Sequence, residues 1–327
     1  MLVTIRKRRN ILLKIIQTTS AFALSTAAAW ISYSKLIVNH AMPLPDAVAA
    51  QRKHVLSPTA GRVSYYMDTS ASGRPLVLIH SINAAPSAYE VRPLFEHYRQ
   101  SRPVYALELP GFGFSERVNR RYSPQLYAES IRDFISQEIG EPVDVIALSL
   151  SCEFVAMAAL SNPDLFNSLV FVSPTGFRAS QPDVPEETLY KVFSFPLWSQ
   201  PFFDLLVLRR SIRFFLGKSF VGEISDGFVE YAHATAHQPG ARYAPLYFVS
   251  GQLFTSDVYE QVYTHLDRPV LVIYDRDPNV TFEKLPELLK TNPNWRAEKI
   301  TPTMGLPHWE QLEQTVATLE TFWGTVS

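Results

Sequence analysis

The stretch DVIALSLSCEF, residues 144–154, joins an apolar run to a helix-compatible segment and sets two serines and the single cysteine of the chain within four positions. Near-continuous apolar runs of this length are what strands buried on both faces look like. A sharp strand-to-helix turn exposes its central side chain and crowds the residues two before and two after it, so those must be small. Centred on Ser149, they are Ala147 and Ser151; centred on Ser151, they are Ser149 and Glu153, and glutamate is too large. The register selects Ser149 as the candidate nucleophile. Cys152 then falls in the first helical turn, where a small thiol serves as packing.

Working outward, PLVLIH (75–80), PVYALEL (103–109), SLVFVS (168–173) and PVLVIY (269–274) repeat the apolar pattern of PVDVIALS (142–149). Helical patterns lie between them, such as PQLYAESIRDFISQEIG (124–140), with Leu126, Ile131, Phe134 and Ile135 on one face and Gly140 as a stop. Strand and helix in alternation predict an α/β fold, a parallel sheet with helices on both faces. The rhythm breaks over 178–264, a helical stretch rich in aromatics, and resumes over 265–327. We read 61–177 and 265–327 as two parts of one core, 178–264 as a cap over the carboxyl edge of the sheet, and 41–60 as a linker. A second domain with its own core is the alternative for the cap.

Thirty basic and 31 acidic side chains nearly cancel, which gives no basic face for nucleic acid. One cysteine excludes an intrachain disulfide and a multi-cysteine zinc site. His233 and His237 are spaced i, i+4 but lack a third ligand in the pattern, so no metal is expected there. The first forty residues differ from the rest. MLVTIRKRRN carries four basic side chains, and Ile15–Ser34 is free of charge. As a helix that segment would span about 30 Å, the thickness of a bilayer core. The basic flank predicts a membrane anchor with the folded part outside the cytoplasm; the alternatives are a cleaved export signal and a helix packed on the domain.

A nucleophilic serine needs a base, and the base needs an orienting acid. Asp277 follows the strand PVLVIY, with Asp275 as a second choice, and His308 follows a Gly/Pro turn before a terminal amphipathic helix. The order is Ser149, Asp277, His308. The developing oxyanion needs backbone donors. The turn after PLVLIH offers the Ile82 amide, and the start of the helix after Ser149 offers the Leu150 amide.

In combination these segments resemble the α/β-hydrolase superfamily over roughly residues 60–325. The motifs that carry the resemblance are His80-Ser81 after a strand, ELPGFGFS (108–115), ALSLS (147–151), Asp277-Pro278, and His308 followed five residues later by Glu313. The resemblance implies a mostly parallel eight-stranded sheet with a lid inserted after the sixth strand, and a serine hydrolase acting on ester-like or related carbonyl substrates without metal or organic cofactor. This chain departs from the pattern at three glycines, replaced by Ala147, Ser151 and Ser81, and its acid turn is one residue short. Cap aromatics (Phe193, Phe195, Trp198, Phe202, Phe203) point to an apolar small-molecule substrate. The alternative is a catalytically impaired member with a binding or scaffolding role.

Overall fold

The computed structural model describes residues 25–179 and 186–326. Eight strands form one sheet in the order β1-β2-β4-β3-β5-β6-β7-β8. Five interior strands coincide with the five apolar runs: β3 (Leu76–Ile79), β4 (Val104–Leu107), β5 (Val143–Leu148), β6 (Phe166–Val172) and β7 (Val270–Tyr274). They pair in parallel. The other three strands are β1 (Gln51–Ser57), β2 (Gly61–Asp68) and β8 (Trp295–Lys299). β1 and β2 form an antiparallel hairpin, and β2 runs antiparallel to β4. The segment read as a linker, 41–60, therefore holds a strand. Edge strands with a wet face carry polar residues, as in QRKHVLS and WRAEK, and lack the continuous apolar signature.

The period of two divides each interior strand between two cores. Val77, Ile79, Val145, Ala147, Leu169, Phe171, Val270 and Val272 face one side, whereas Leu76, Leu78, Ile146, Leu148, Val170, Val172, Leu271 and Ile273 face the other. The described chain begins with a helix, residues 25–36 (α1). α2 (Arg92–Tyr98) and the terminal α13 (Leu312–Val326) cover the second face through Leu94, Phe95, Leu319 and Phe322. α3 (Pro124–Phe134) and α4 (Ser151–Ser161) cover the first through Leu126, Ile131, Phe154 and Val155. Six helices, α5 (Glu186–Phe193) to α10 (Val258–Gln261), lie between β6 and β7. Among them are α6 (Ser199–Leu206), α7 (Arg209–Gly217), α8 (Asp226–Ala236) and α9 (Tyr243–Val249). After β7 come α11 (Leu285–Thr291), α12 (Pro307–Glu310) and α13 (Leu312–Val326).

Of the segment Ile15–Ser34, residues 15–24 lie outside the described residues. α1 docks on the cap: Trp30 Nε1 donates to the Pro201 carbonyl at 2.9 Å, and Ser34 Oγ to the buried Asp204 carboxylate at 2.6 Å. His40 and Gln200 share the same carboxylate. Among the described residues, no helix is long and apolar enough to cross a membrane.

Glu153, on the first turn of α4, is buried and ties the sheet to both ends of the cap. It accepts from the Thr175 hydroxyl just after β6 and from the Thr255 amide, 2.8 Å away, just after α9. Burial pushes its carboxyl up from 4.5 to about 7. Between those two values the native state binds the proton that the unfolded chain has released, so stability falls as pH rises through that window. Glu153→Gln removes this slope. The melting temperature of the variant relative to wild type is expected to be more favourable at pH 8 than at pH 5; an equal offset at both would show that Glu153 does not titrate this way.

Candidate active site

β5 ends at Leu148 and α4 begins at Ser151, leaving two residues to reverse the chain. Ser149 pays for the reversal with φ +52°, the left-handed region, which costs a residue with a Cβ about 1–2 kcal/mol. In return its side chain stands half-buried on the wall of a cavity of about 300 Å³ between the sheet and the cap. The two substituted elbow positions fit. Ala147 is fully buried in the ladder between Ile79 and Phe171. Ser151 is also sealed from solvent, and its hydroxyl donates to the His80 carbonyl at 2.6 Å, bolting the elbow to the turn after β3. Cys152 points back into the core, with Sγ 3.2 Å from the Ala147 carbonyl, and burial holds its thiol well above the usual range.

The turn after β3 is built from side chains where a glycine would have sufficed. The Leu109 amide donates to His80 Nε2 at 3.0 Å, so the ring proton sits on Nδ1, which donates to the Ser81 carbonyl at 2.6 Å. The Ser81 amide donates to Glu90 Oε2 at 2.7 Å, and Asn83 Nδ2 to Glu90 Oε1 at 2.8 Å and to Ser81 Oγ at 2.9 Å. Asn83 Oδ1 accepts from the Ala85 amide, closing the turn. The amides of Ile82 and Leu150 donate to no described residue. Both adjoin the wall that carries Ser149.

Asp277 lines the same cavity as Ser149. Its Oδ1 accepts from the Asn279 amide at 2.8 Å, and burial raises its carboxyl above the ordinary value. Asp275, the second choice for the acid, is buried outside the cavity wall, where it accepts from the Thr303 amide at 3.0 Å.

His308 is placed differently. It lies in α12, fully buried and outside the cavity lining. Its Nε2 donates to the Glu90 carbonyl at 2.8 Å, and Trp309 Nε1 donates to the same oxygen at 2.7 Å. Its Nδ1 has no partner among the described residues. A carbonyl only accepts, so the proton is on Nε2. A base between a serine and a carboxylate needs the opposite tautomer, Nδ1–H toward the acid and bare Nε2 toward the hydroxyl. Burial holds the ring neutral, pushing its pKa down to about 4. Ser149, Ile82 and Asp277 thus line one cavity, whereas Leu150 and His308 are buried and do not line it.

Sequence reasoning missed the rest of the cavity wall. Leu206, Ile212, Leu216 and Phe228 make it apolar, while Asn83, Glu90, Lys218, Ser219 and Asn279 give it polar ground beside Ser149 and Asp277. Of the five cap aromatics, none lines the cavity; Phe203 is core, and Phe195 and Trp198 pack against each other at a tilt at the surface. In the cap, His233 and His237 stack at 4.0 Å, with His237 Nδ1 donating to the His233 carbonyl at 2.7 Å. Among the described residues there is no group of three or more His, Cys, Asp or Glu side chains placed to hold a metal.

Comparison with known proteins places these features in context. The model of the alpha/beta hydrolase family matches residues 76–318. Among solved structures, a serine hydrolase involved in carbazole degradation superposes with TM-score 0.69 at 16% identity, over 85% of this chain and all of that one. A membrane phospholipase A, described as a bacterial virulence factor, gives 0.67 at 16% identity, over 98% of this chain and 99% of that one. A thermophilic esterase from Thermogutta terrifontis gives 0.64 at 17% identity, over 85% and 99%. A search of curated proteins finds no match.

Both partners of the Glu90 carboxylate are donors, so Glu90→Gln can satisfy only one and sets an amide N–H against another N–H. A mismatched buried donor costs about 1–3 kcal/mol. Denaturant unfolding of this variant is expected to show a loss of that size; a change within about 0.5 kcal/mol, the range of an ordinary surface substitution, would show that the carboxylate does not hold the turn.

Proposed function

Since the chain belongs to the alpha/beta hydrolase family, we propose that it is a hydrolase of apolar ester-like or related carbonyl substrates, working through Ser149. The observation that carries this is the strained φ of Ser149 on the cavity wall. Strain of this kind persists only where the surrounding structure enforces it, and here the strained residue carries a hydroxyl on the cavity wall that Ile82 also lines. In the reaction Ser149 Oγ attacks the carbonyl carbon, and the Ile82 and Leu150 amides receive the oxyanion. The leaving group departs, and water then releases the acyl group. Removing one such donor typically costs 10²–10³ in rate. The apolar wall of Leu206, Ile212, Leu216 and Phe228 suits an acyl chain. The likeness to a membrane phospholipase A along nearly the whole chain, and the basic flank before Ile15–Ser34, make lipid esters the first class to try, with the domain tethered outside the cytoplasm.

In the full triad reading, His308 takes the proton from Ser149 and Asp277 orients it. That requires the ring to leave the Glu90 carbonyl and turn into the cavity. One observation favours the second reading, an impaired member that binds more than it turns over: the His308 ring is held as an Nε2–H donor inside the core.

Prolonged incubation with excess fluorophosphonate probe, on membrane and soluble fractions separately, tests the proposal. Wild type is expected to label, in the membrane fraction, and Ser149→Ala not to. Absence of labelling, or equal labelling of both, would remove Ser149 as the nucleophile. Labelling without turnover of any ester in a panel of short and long acyl chains would select the second reading.

A further inference from the structure

Residues 205–222, around α7, carry four cations, Arg209, Arg210, Arg213 and Lys218, and no acid. Arg209 and Arg213 pair with Glu230 and Asp226 of α8, and Ile212 between them is buried. Arg210 and Lys218 have no acidic partner among the described residues. Spaced i, i+4, i+8 with Phe214, they share its outward face. Phe214 and Phe215 are 61% and 55% exposed and pack edge to face at 5.2 Å, with the Lys218 ammonium 4.6 Å from the Phe214 ring. Leu208, one residue before the helix, is exposed too. Phenyl rings left in water beside unpaired cations are what a helix lying in a membrane interface carries.

The cavity reaches the surface at this helix. Of the residues lining it, Phe215, Lys218 and Asn279 are the exposed ones, and two of these stand at the end of α7. The N-terminal chain arrives here as well. α1 is held through Trp30 and Ser34 by α6, which ends at Leu206 just before α7 starts at Arg209. Leu36 and Ile37, at the end of α1, are 79% and 66% exposed. A tether that enters on α6 brings the cap, rather than the sheet, to whatever surface holds it.

We propose that the outward face of α7 docks on an anionic lipid bilayer and turns the mouth of the cavity toward it, so that a lipid enters from the membrane plane. This rests on the membrane tether of the N-terminal segment, and not on Ser149 being the nucleophile. Arg210 and Lys218 meet the headgroup phosphates, while Leu208, Phe214 and Phe215 sink among the first acyl carbons. A helix placed this way lies in the interface and spans nothing. Charge selects the occupant: a second copy packed face to face would set these cations against their own kind, whereas an anionic bilayer neutralises them.

The test uses the full-length chain on vesicles of phosphatidylcholine with phosphatidylglycerol, and of phosphatidylcholine alone. Cys152 is buried, so a nitrobenzoxadiazole label goes to an introduced thiol. Ser211→Cys puts the label on α7; Glu141→Cys puts it in the exposed loop before β5, at the other end of that strand from Ser149. With phosphatidylglycerol present, lipids bearing an acyl-chain nitroxide are expected to quench the Ser211→Cys label by about half and the Glu141→Cys label hardly at all. Adding Arg210→Glu with Lys218→Glu, or Phe214→Ser with Phe215→Ser, is expected to abolish that quenching while the chain still floats with the vesicles. Omitting phosphatidylglycerol is expected to weaken it likewise. The proposal is overturned if both labels on floating protein are quenched alike, or if charge reversal leaves the quenching unchanged. It is also overturned if the Ser211→Cys label escapes quenching on vesicles and is shielded from aqueous iodide as protein concentration rises, the result of a second copy covering α7. If the chain does not float, the tether has failed and the docking with it. Fluorophosphonate labelling of Ser149, read on the same samples, stands apart from both.

Discussion

The site depends on one residue shielded from water, Glu90. A carboxylate this deep is raised by burial above its ordinary value, and it can stay ionised only where donors surround it. The Ser81 amide and the Asn83 side chain are those donors. Through them Glu90 fixes the turn that frees the Ile82 amide, and through its own carbonyl it fixes His308 and Trp309. The carboxylate bonds that steady the turn after β3 and the carbonyl bonds that hold His308 and Trp309 thus meet in one residue.

The elbow shows the same economy of parts. Glycine would relieve the crowding beside Ser149 by having no side chain; this chain instead uses a serine whose hydroxyl ties the helix start to the His80 carbonyl. The strain at Ser149 is thereby held between a β-ladder on one side and a side-chain bolt on the other. Glu153 links α4 in turn to the loop after β6 and to the loop after α9.

Much of this was legible in the sequence, and the rest failed for definite physical reasons. The five interior strands announced themselves because strands buried on both faces must be apolar throughout. β1, β2 and β8 did not, since an edge or antiparallel strand can face water. The steric demand of a tight turn identified Ser149 without reference to any partner. Asp277 followed from its place after β7. His308 was the one histidine after the last parallel strands, and its position in the chain could not reveal that α12 turns it inward under the 3₁₀ turn bearing Glu90. Glu90 sits in SAYEVRPLF looking like any surface glutamate on a helix, and only packing shows it is buried.

The central claim is that the His308 ring is locked as an Nε2–H donor to the Glu90 carbonyl. Nitrogen-15 NMR of histidine-labelled protein, with His308 assigned by substitution, tests it most directly. The account predicts a neutral His308 with the proton on Nε2 and no titration until the pH nears 4, in keeping with its burial. A ring protonated on Nδ1, or one that titrates near the ordinary histidine value, would contradict it and return His308 to the space between Ser149 and Asp277.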